Sequence, residues 1–528
     1  MGKINKIIIP GVVIGFILAL SQPLFNWSIL VFAGLVLFFL AIKIIQINVH
    51  SFWLGLTAGL VYFLIYFRWY WTVYPLTHLG IDRHLTAFWF VLLVWILTAV
   101  PLALTWGASA RLWKALDSKV SWPALLIFPS VFTVFEYLRS YLIGLVWIGQ
   151  ATPVGPNWTN GNLAYNLHKS FLALKLASWL GIYGVTFVII FLSVLLFILG
   201  EKRKYKKLFV LAVAIIVLVY FPAINNRPAR LNLDGEDKVV AVAAIQTKVP
   251  SQVSYTPAEE ASIFKEQLML IDSVSKNFPK TGLVVFPEES NFFKTLTLFR
   301  NNFGASQYFY RLFPSPALIV DNSKIITGSQ WQSKTIFLDS QKGVLGSYDK
   351  LLITPGGEYV PLIFRALDKL LGLNSPAIQT TTEYQAGQKP PEVVSGPGDL
   401  KATSLICSDI FSPILVPKEA NVLMAQSSFS FAKGAPDLLG QDLAAGQFRA
   451  AESSRYLVKS SNFGHAYIIS NQGQLEKITP NLDSQILTGT VVLKNGKTLY
   501  NKIGDSPILL ASLGVLIVSL FLKKYANN

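Results

Sequence analysis

The chain has 528 residues, 52% hydrophobic and only 14% charged, with a formal net charge of +16. That balance excludes an ordinary soluble protein and points to a membrane protein. Nucleic-acid binding is excluded by where the charge lies: residues 1–223 hold sixteen Lys and Arg against four acids, Asp82, Asp117, Glu136 and Glu201, and the remainder is close to balanced.

Apolar spans long enough to cross a bilayer are predicted at 6–23, 27–45, 51–71, 85–108, 121–139, 177–200 and 206–223, with an eighth at 506–523. The first has the apolar core of a signal peptide, but the close succession of further spans predicts an uncleaved helix. The span 121–139 carries Pro123, Pro129, Glu136 and Arg139. The last two stand at i, i+3 on one helix face, which predicts a local ion pair near the membrane surface. Aromatic residues at span ends, Trp69, Trp71 and Trp147, suit the membrane interface.

The loops set an orientation. If Lys3 and Lys6 are cytoplasmic, the same side receives Lys43, then Arg111, Lys114 and Lys119, then the basic run Lys202–Lys207, and finally Lys523 and Lys524. The opposite loops hold mainly Arg83, Lys169 and Lys175. The excess of positive charge inside is then met with both termini cytoplasmic and residues 224–505 outside.

After Pro222 and Asn225-Asn226-Arg227-Pro228, a linker-like stretch, the chain changes character. Val239–Ile245 is a strand-length apolar run, Pro257 to about Phe278 reads as an amphipathic helix with acids in its first turn, and Leu283–Phe286 is a second buried strand ended by Pro287. Further strands are predicted at Ile325–Thr327, Thr335–Leu338, Ala402–Ile406, Val422–Met424 and Tyr467–Ile469. Strands alternating with helices imply an α/β domain. The organisation expected is a membrane domain at 1–223 with seven spans, an α/β domain at 224–505, and a last span with a short tail at 506–528.

Three polar residues stand where apolar strands end or in a distinctive loop: Glu288 after Phe286-Pro287, Lys350 within Tyr348–Leu362, and Cys407 after Ser404-Leu405-Ile406. Singly each has a plain explanation, as a helix cap, a solvated charge and a small buried hydrophobe. Cys407 is the only cysteine, which excludes an internal disulfide framework and any multi-cysteine metal site. The five histidines, His50, His78, His84, His168 and His465, are scattered, which disfavours a His-based triad or metal centre. Gly356-Gly357 lacks the context of a phosphate loop.

Strand-Glu, a Lys some sixty residues on and a strand-Cys nearly sixty further follow the order used by the nitrilase superfamily. The chain resembles one family more closely. Phe286-Pro287-Glu288-Glu289-Ser290, the segment Tyr348–Leu362 with Glu358 eight residues after Lys350, and Ile406-Cys407-Ser408-Asp409 look like the three catalytic signatures of apolipoprotein N-acyltransferase. Trp69-Tyr70-Trp71, Glu136-Tyr137-Leu138-Arg139, Gly144–Trp147, Ala177–Gly184, Arg449–Arg455, Ser461–Gly464 and Gly504-Asp505 resemble its other motifs, so the resemblance covers nearly the whole chain.

That resemblance implies about eight membrane helices joined to an extracytoplasmic, nitrilase-like α-β-β-α sandwich, in a bacterial inner membrane. It implies a phospholipid acyl donor, a diacylglyceryl-modified apolipoprotein acceptor, and no cofactor or metal. A thiol near pKa 8.5 needs help to act as a nucleophile, so Cys407 would form an acyl thioester with Glu288 as base and Lys350 stabilising the oxyanion. Glu358 matches the family's second essential glutamate and would position Lys350 or assist proton transfer. Asp409 falls where the family usually has Glu and would keep a supporting role. The chain departs from the pattern at Ser408, where an aromatic is usual, at Val146, where Pro is common, and at Ala425–Phe431, which lacks the usual Asp and Trp. Two other readings share the same residues: a membrane-anchored amidase that gives the thioester to water, and a non-catalytic scaffold that binds a membrane glycosyltransferase.

Overall fold

The computed structural model describes residues 2–45, 47–79, 81, 83–116, 124–220, 238–252, 255–328, 330–372 and 383–526. Asp82, Asp117, Lys119, Pro123 and the linker-like stretch from Pro222 to Pro228 lie outside the described residues.

The first part is a bundle of apolar helices: α1 (Gly2–Leu20), α2 (Leu30–Ile44), α3 (Asn48–Tyr66), α4 (His84–Leu116), α5 (Ala124–Val146), α6 (Phe171–Glu201) and α7 (Tyr205–Tyr220). Among the described residues, five segments are long and apolar enough to cross a membrane: Asn48–Val73, His84–Leu116, Leu125–Val146, Phe171–Glu201 and Ser506–Lys524. Ile7–Leu20 and Leu30–Ile44 are shorter apolar helices. Without water between them, such helices associate by close packing at small residues. At Gly55 of α3 an added Cβ would lie 2.5 Å from the Trp106 carbonyl oxygen of α4, so only glycine lets the two backbones approach this closely.

Glu136 and Arg139 pair as expected, at 3.0 Å, and are buried within the bundle, with side chains 1% and 0% exposed. The α5 helix turns both toward Trp106, Asn160 and Asn162, whose polar groups satisfy them. Trp147 is also buried, its indole N–H donating to Thr98 Oγ1 at 3.2 Å, so it is a packing residue and not a lipid-facing anchor.

The second part is built on two six-stranded sheets. The first has the order β12-β1-β2-β3-β4-β5, formed by β1 (Val239–Gln246), β2 (Thr281–Val285), β3 (Leu318–Thr327), β4 (Gln330–Asp339), β5 (Gly343–Asp349) and β12 (Gln485–Val492). The second has the order β11-β10-β9-β8-β7-β6, from β6 (Val394–Ser395), β7 (Lys401–Ile406), β8 (Val422–Ser428), β9 (Tyr456–Asn462), β10 (Tyr467–Ile469) and β11 (Leu475–Ile478). β1, β2 and β3 are parallel, as are β7, β8 and β9.

Side-chain alternation builds the layers. Val242 and Ala244 point into a core between the sheets with Leu283, Val285, Ile406, Val422, Met424 and Val458. Ala243 and Ile245 point the other way, against α8 (Pro257–Asn277) and α9 (Phe292–Leu312) through Ile271, Val274, Phe292 and Phe309. The second sheet's outer face, Leu405, Leu423, Ala425 and Leu457, packs on Ala444, Ala445, Phe448 and Ala451 of α11 (Pro436–Ser453), and that core runs on into the membrane helices. The layers are therefore α-β-β-α, with α11 wedged between a sheet and the bundle. The start of α8 is fixed locally: Thr256 accepts from the Glu259 N–H, Glu259 accepts from the Thr256 N–H, and Pro257 opens the helix. A short helix α12 (Leu499–Ile503) precedes the last apolar helix, α13 (Ser506–Ala526).

Candidate active site

The parallel strands of both sheets end in the same region, and their last residues carry the polar groups. β2 runs out at Val285, and Phe286-Pro287 deliver a buried Glu288. β5 ends at Asp349 and the next residue, Lys350, turns inward, anchored through its N–H to the Ser333 carbonyl at 2.9 Å. β7 ends at Ile406, and Cys407 opens a short 3-10 turn, Cys407–Phe411, with φ +49. That left-handed conformation is costly for a non-glycine residue and is held only where its surroundings demand it.

Lys350 Nζ lies 2.9 Å from Glu288 Oε1 and 2.9 Å from a Glu358 carboxylate oxygen. The other oxygens are also engaged. Glu288 Oε2 accepts the Ser428 backbone N–H at 2.9 Å, from the end of β8, and Glu358 Oε2 accepts the Thr354 N–H at 2.6 Å. The structure thus brings Glu288, Lys350 and Glu358 into one ion-paired cluster. Cys407, partly exposed, feels the charges of all three.

Electrostatics follow from this burial. The Glu288 carboxyl is pushed up to about 7, chiefly by burial, with Lys350 opposing and Glu358 and Glu289 adding. Burial acts to lower the Lys350 ammonium, but Glu288 and Glu358 outweigh it and hold the group well above its ordinary value. Loss of solvation pushes the Cys407 thiol up, and the charge of Glu288 adds to this while Lys350 opposes it. Burial and the Glu288 charge both favour the neutral thiol over a preformed thiolate.

Asp409 is placed differently. It is buried and accepts three hydrogen bonds: from Tyr348 Oη at 2.9 Å, the Leu352 N–H at 2.9 Å and the Ile406 N–H at 3.2 Å. It ties the Lys350 loop to the Cys407 turn. Ser408 adds to the tie by donating from Oγ to the Leu352 carbonyl, a bond for which the usual aromatic has no donor at that position.

Sequence reasoning missed Ser428, Gln426 and Tyr384. Gln426 bridges the two sheets beneath Glu288, donating to the Phe286 carbonyl at 2.7 Å and accepting from Thr335 and Ser404 hydroxyls. Tyr384 donates to Glu289 Oε1 at 2.7 Å. A run of polar residues at the end of the apolar β8, Gln426-Ser427-Ser428, was the available signal.

The Lys350–Leu362 block also docks on the membrane bundle. Tyr359 Oη donates to the Trp147 carbonyl at 2.5 Å, the Leu362 N–H to the Ile148 carbonyl at 2.8 Å, and Phe364 of α10 (Leu362–Leu371) stacks on the Trp147 ring.

Residues 14–195 match the model of the Apolipoprotein N-acyltransferase N-terminal domain. Proteins named apolipoprotein N-acyltransferase are similar to the chain over most of its length: that of Chromobacterium violaceum is 24% identical over 90% of this chain and 86% of its own, and that of Thermotoga maritima 22% identical over 97% and 93%. That of Geobacter metallireducens is 24% identical over 72% and 71%. The chain is a relative of the apolipoprotein N-acyltransferases. Those relatives are named as acyltransferases. Among solved structures, a cysteine-to-serine mutant of the Nesterenkonia AN1 amidase from the nitrilase superfamily covers 51% of this chain and 96% of its own, with 14% identity and a TM-score of 0.33.

Three motifs through which the chain resembles the N-acyltransferases meet at one junction. α6 breaks at Gly181, φ +67, where an added Cβ would lie 2.2 Å from the Tyr500 ring. The Ile182 N–H beside the break donates to Glu452 Oε1 at 2.9 Å, and Glu452 pairs with Arg449 at 2.8 Å. Asp505, whose carboxyl burial pushes up to about 6, interacts with Tyr500 and Arg449. Ala177–Gly184, Arg449–Arg455 and Gly504-Asp505 thus fasten the α/β part to the bundle.

Proposed function

We propose that this chain transfers a fatty acyl chain from a phospholipid to the N-terminal diacylglyceryl-cysteine amine of apolipoproteins, through an acyl thioester on Cys407. The observation that carries the reading is the closed cluster Glu288–Lys350–Glu358 facing a lone cysteine in a left-handed turn. The names of its relatives supply the acceptor class.

In the first half-reaction the Cys407 sulfur attacks the ester carbonyl of the phospholipid while its proton passes to Glu288. The ammonium of Lys350 stabilises the oxyanion. As the intermediate collapses, the carbon–oxygen ester bond breaks and the lysophospholipid leaves with the proton from Glu288. In the second half-reaction the acceptor amine attacks the thioester, its proton goes to Glu288 and then to sulfur, and an amide is released. Glu358 holds Lys350 in place. Asp409 keeps its loop and the nucleophile turn together.

The domain assignment expected is a membrane domain at 1–223, a catalytic domain at 224–505 and a last span from 506. The cytoplasmic basic loops favour a bacterial inner-membrane protein with both termini inside and the catalytic part outside. Docking of the Lys350 block on the bundle suits substrates that are themselves lipid-anchored.

The test is mass spectrometry of the purified protein incubated with phospholipid. An added fatty-acyl mass on the Cys407 peptide, transferred on addition of a diacylglyceryl-peptide, is the expected result. An adduct that is lost only to water would favour the amidase reading, and no adduct would remove the thioester mechanism.

A further inference from the structure

The turn that presents Cys407 is gripped from the membrane part. Its last residue, Phe411, has its carbonyl oxygen held by Thr159, whose backbone N–H donates at 3.3 Å and whose hydroxyl donates to the same oxygen. The following residue, Ser412, donates from Oγ to Asn157 Oδ1 at 3.3 Å. Two consecutive residues at the end of the nucleophile turn are thus bonded to one buried segment, 157–162, that lies between α5 and α6.

That segment is in turn held from inside the bundle. Arg139 Nη1 donates to the Asn160 carbonyl at 2.5 Å, and the Trp158 N–H donates to the Ser140 carbonyl at 3.1 Å. Asn162 Nδ2 donates to Glu136 Oε2 at 3.3 Å, and its Oδ1 accepts from the Thr186 hydroxyl at 2.7 Å. Glu136 also accepts from the Trp106 indole and pairs with Arg139 through two bonds of 3.0 Å. Tyr165 Oη, 2.6 Å from the Thr159 hydroxyl, completes that hydroxyl's partners.

A fully buried ion pair gains little stability over apolar residues of the same size, and ionisable groups within membrane helices usually mark a function. Here its hydrogen bonds end on the segment that grips the nucleophile turn. We propose that Thr159 is a positioning residue for Cys407, and that the Glu136–Arg139 pair acts through it by fixing the segment 157–162. This rests on the reading of Cys407 as nucleophile. On the catalytic side Asp409 already holds the front of the turn, and Thr159 holds its back. Between them they enforce the left-handed conformation at Cys407 that no local preference supports.

The experiment uses the full chain in detergent, as Thr159→Val, which keeps the shape and removes the hydroxyl, and Thr159→Ser, which restores it. Acylation of Cys407 is followed in single turnover with micelles of phosphatidylethanolamine and phosphatidylglycerol, beside the pH profile of Cys407 alkylation by iodoacetamide and the melting midpoint. Misplacement of a reacting group by a fraction of an ångström predicts a ~10-fold lower acylation rate in Thr159→Val, with the half-saturating lipid concentration unchanged and Thr159→Ser within ~2-fold of the parent. The alkylation midpoint should move to lower pH, because a relaxed turn lets the thiol leave its carboxylate-flanked site.

Parent-like acylation and alkylation in Thr159→Val would overturn the proposal. So would equal slowing in both variants in step with a lower melting midpoint, since that marks a structural role alone. If Thr159→Val does not fold, Ser412→Ala severs only the neighbouring bond: a ~3-fold slowing at unchanged half-saturation supports the grip, and a full rate overturns it. Alkylation needs no lipid, so failure of the acyl-transfer reading, seen as no adduct on the parent protein, is distinguishable from failure of this one.

Discussion

The Tyr348 phenol donates to Asp409 Oδ2 at 2.9 Å, joining the strand that delivers Lys350 to the turn that presents Cys407. The same carboxylate accepts the Leu352 and Ile406 N–H groups, so one short acid aligns two of the residues proposed to react. An Asp409→Asn amide cannot accept all three bonds, and each buried donor left unpaired costs about 1–3 kcal/mol. The variant should melt lower than the parent, and its single-turnover acylation should fall by about 10-fold through loss of alignment. Parent-like melting would show that the three bonds do not matter.

A pH profile should expose Glu288. With its carboxyl pushed up to about 7 by burial, it holds a proton below that pH and cannot take one from Cys407. The acylation rate should therefore rise with pH through about 7, and Glu288→Gln should give a flat profile near zero. Stability runs the opposite way. A folded pKa raised above the ordinary carboxylate value means that the contribution is fully present below about 4.5 and lost as pH rises through about 7. Melting midpoints compared across that window, parent against Glu288→Gln, check the sign.

Lys350 sits between two buried carboxylates, so its removal leaves both without their cation. Lys350→Met should destabilise the protein by about 3–5 kcal/mol and abolish the acyl adduct. Adding Glu288→Gln to it should recover part of the stability and none of the activity. Thermal unfolding in detergent and mass spectrometry of the Cys407 peptide separate the two effects.

At the junction, Gly181→Ala forces a Cβ toward the Tyr500 ring at a backbone φ of +67. Left-handed strain alone costs about 1–3 kcal/mol, and the steric clash with Tyr500 adds to it. The variant should melt lower and become sensitive to proteolysis near residues 499–505. Unchanged melting and digestion would mean that the ring moves aside freely.

The sequence alone determined what depends on local pattern. Long apolar runs mark the membrane part, Val239–Ile245 and Leu283–Phe286 mark central strands, and Thr256-Pro257 with Glu259 marks the start of α8, because hydrophobic period and capping act within a few residues. The order of Glu288, Lys350 and Cys407 was legible in the same way, as polar residues at the ends of strands or in the loop that follows one. Tertiary structure decided the rest. β9, with Lys459, Ser460, Ser461 and Asn462 in its second half, reads as polar, yet every residue is buried, since the carbonyls of Ile245 and Val249, more than 200 positions away, accept from Ser460 and Asn462, and Asp442 of α11 pairs with Lys459. The bond from Ser428 to Glu288, the tie from Asp409 to the Lys350 loop and the grip of Thr159 on Phe411 each join residues 57 or more positions apart. No local propensity encodes such bonds. They exist because two sheets and a helix bundle, each folded on its own apolar pattern, bring strand ends and membrane loops to the same place.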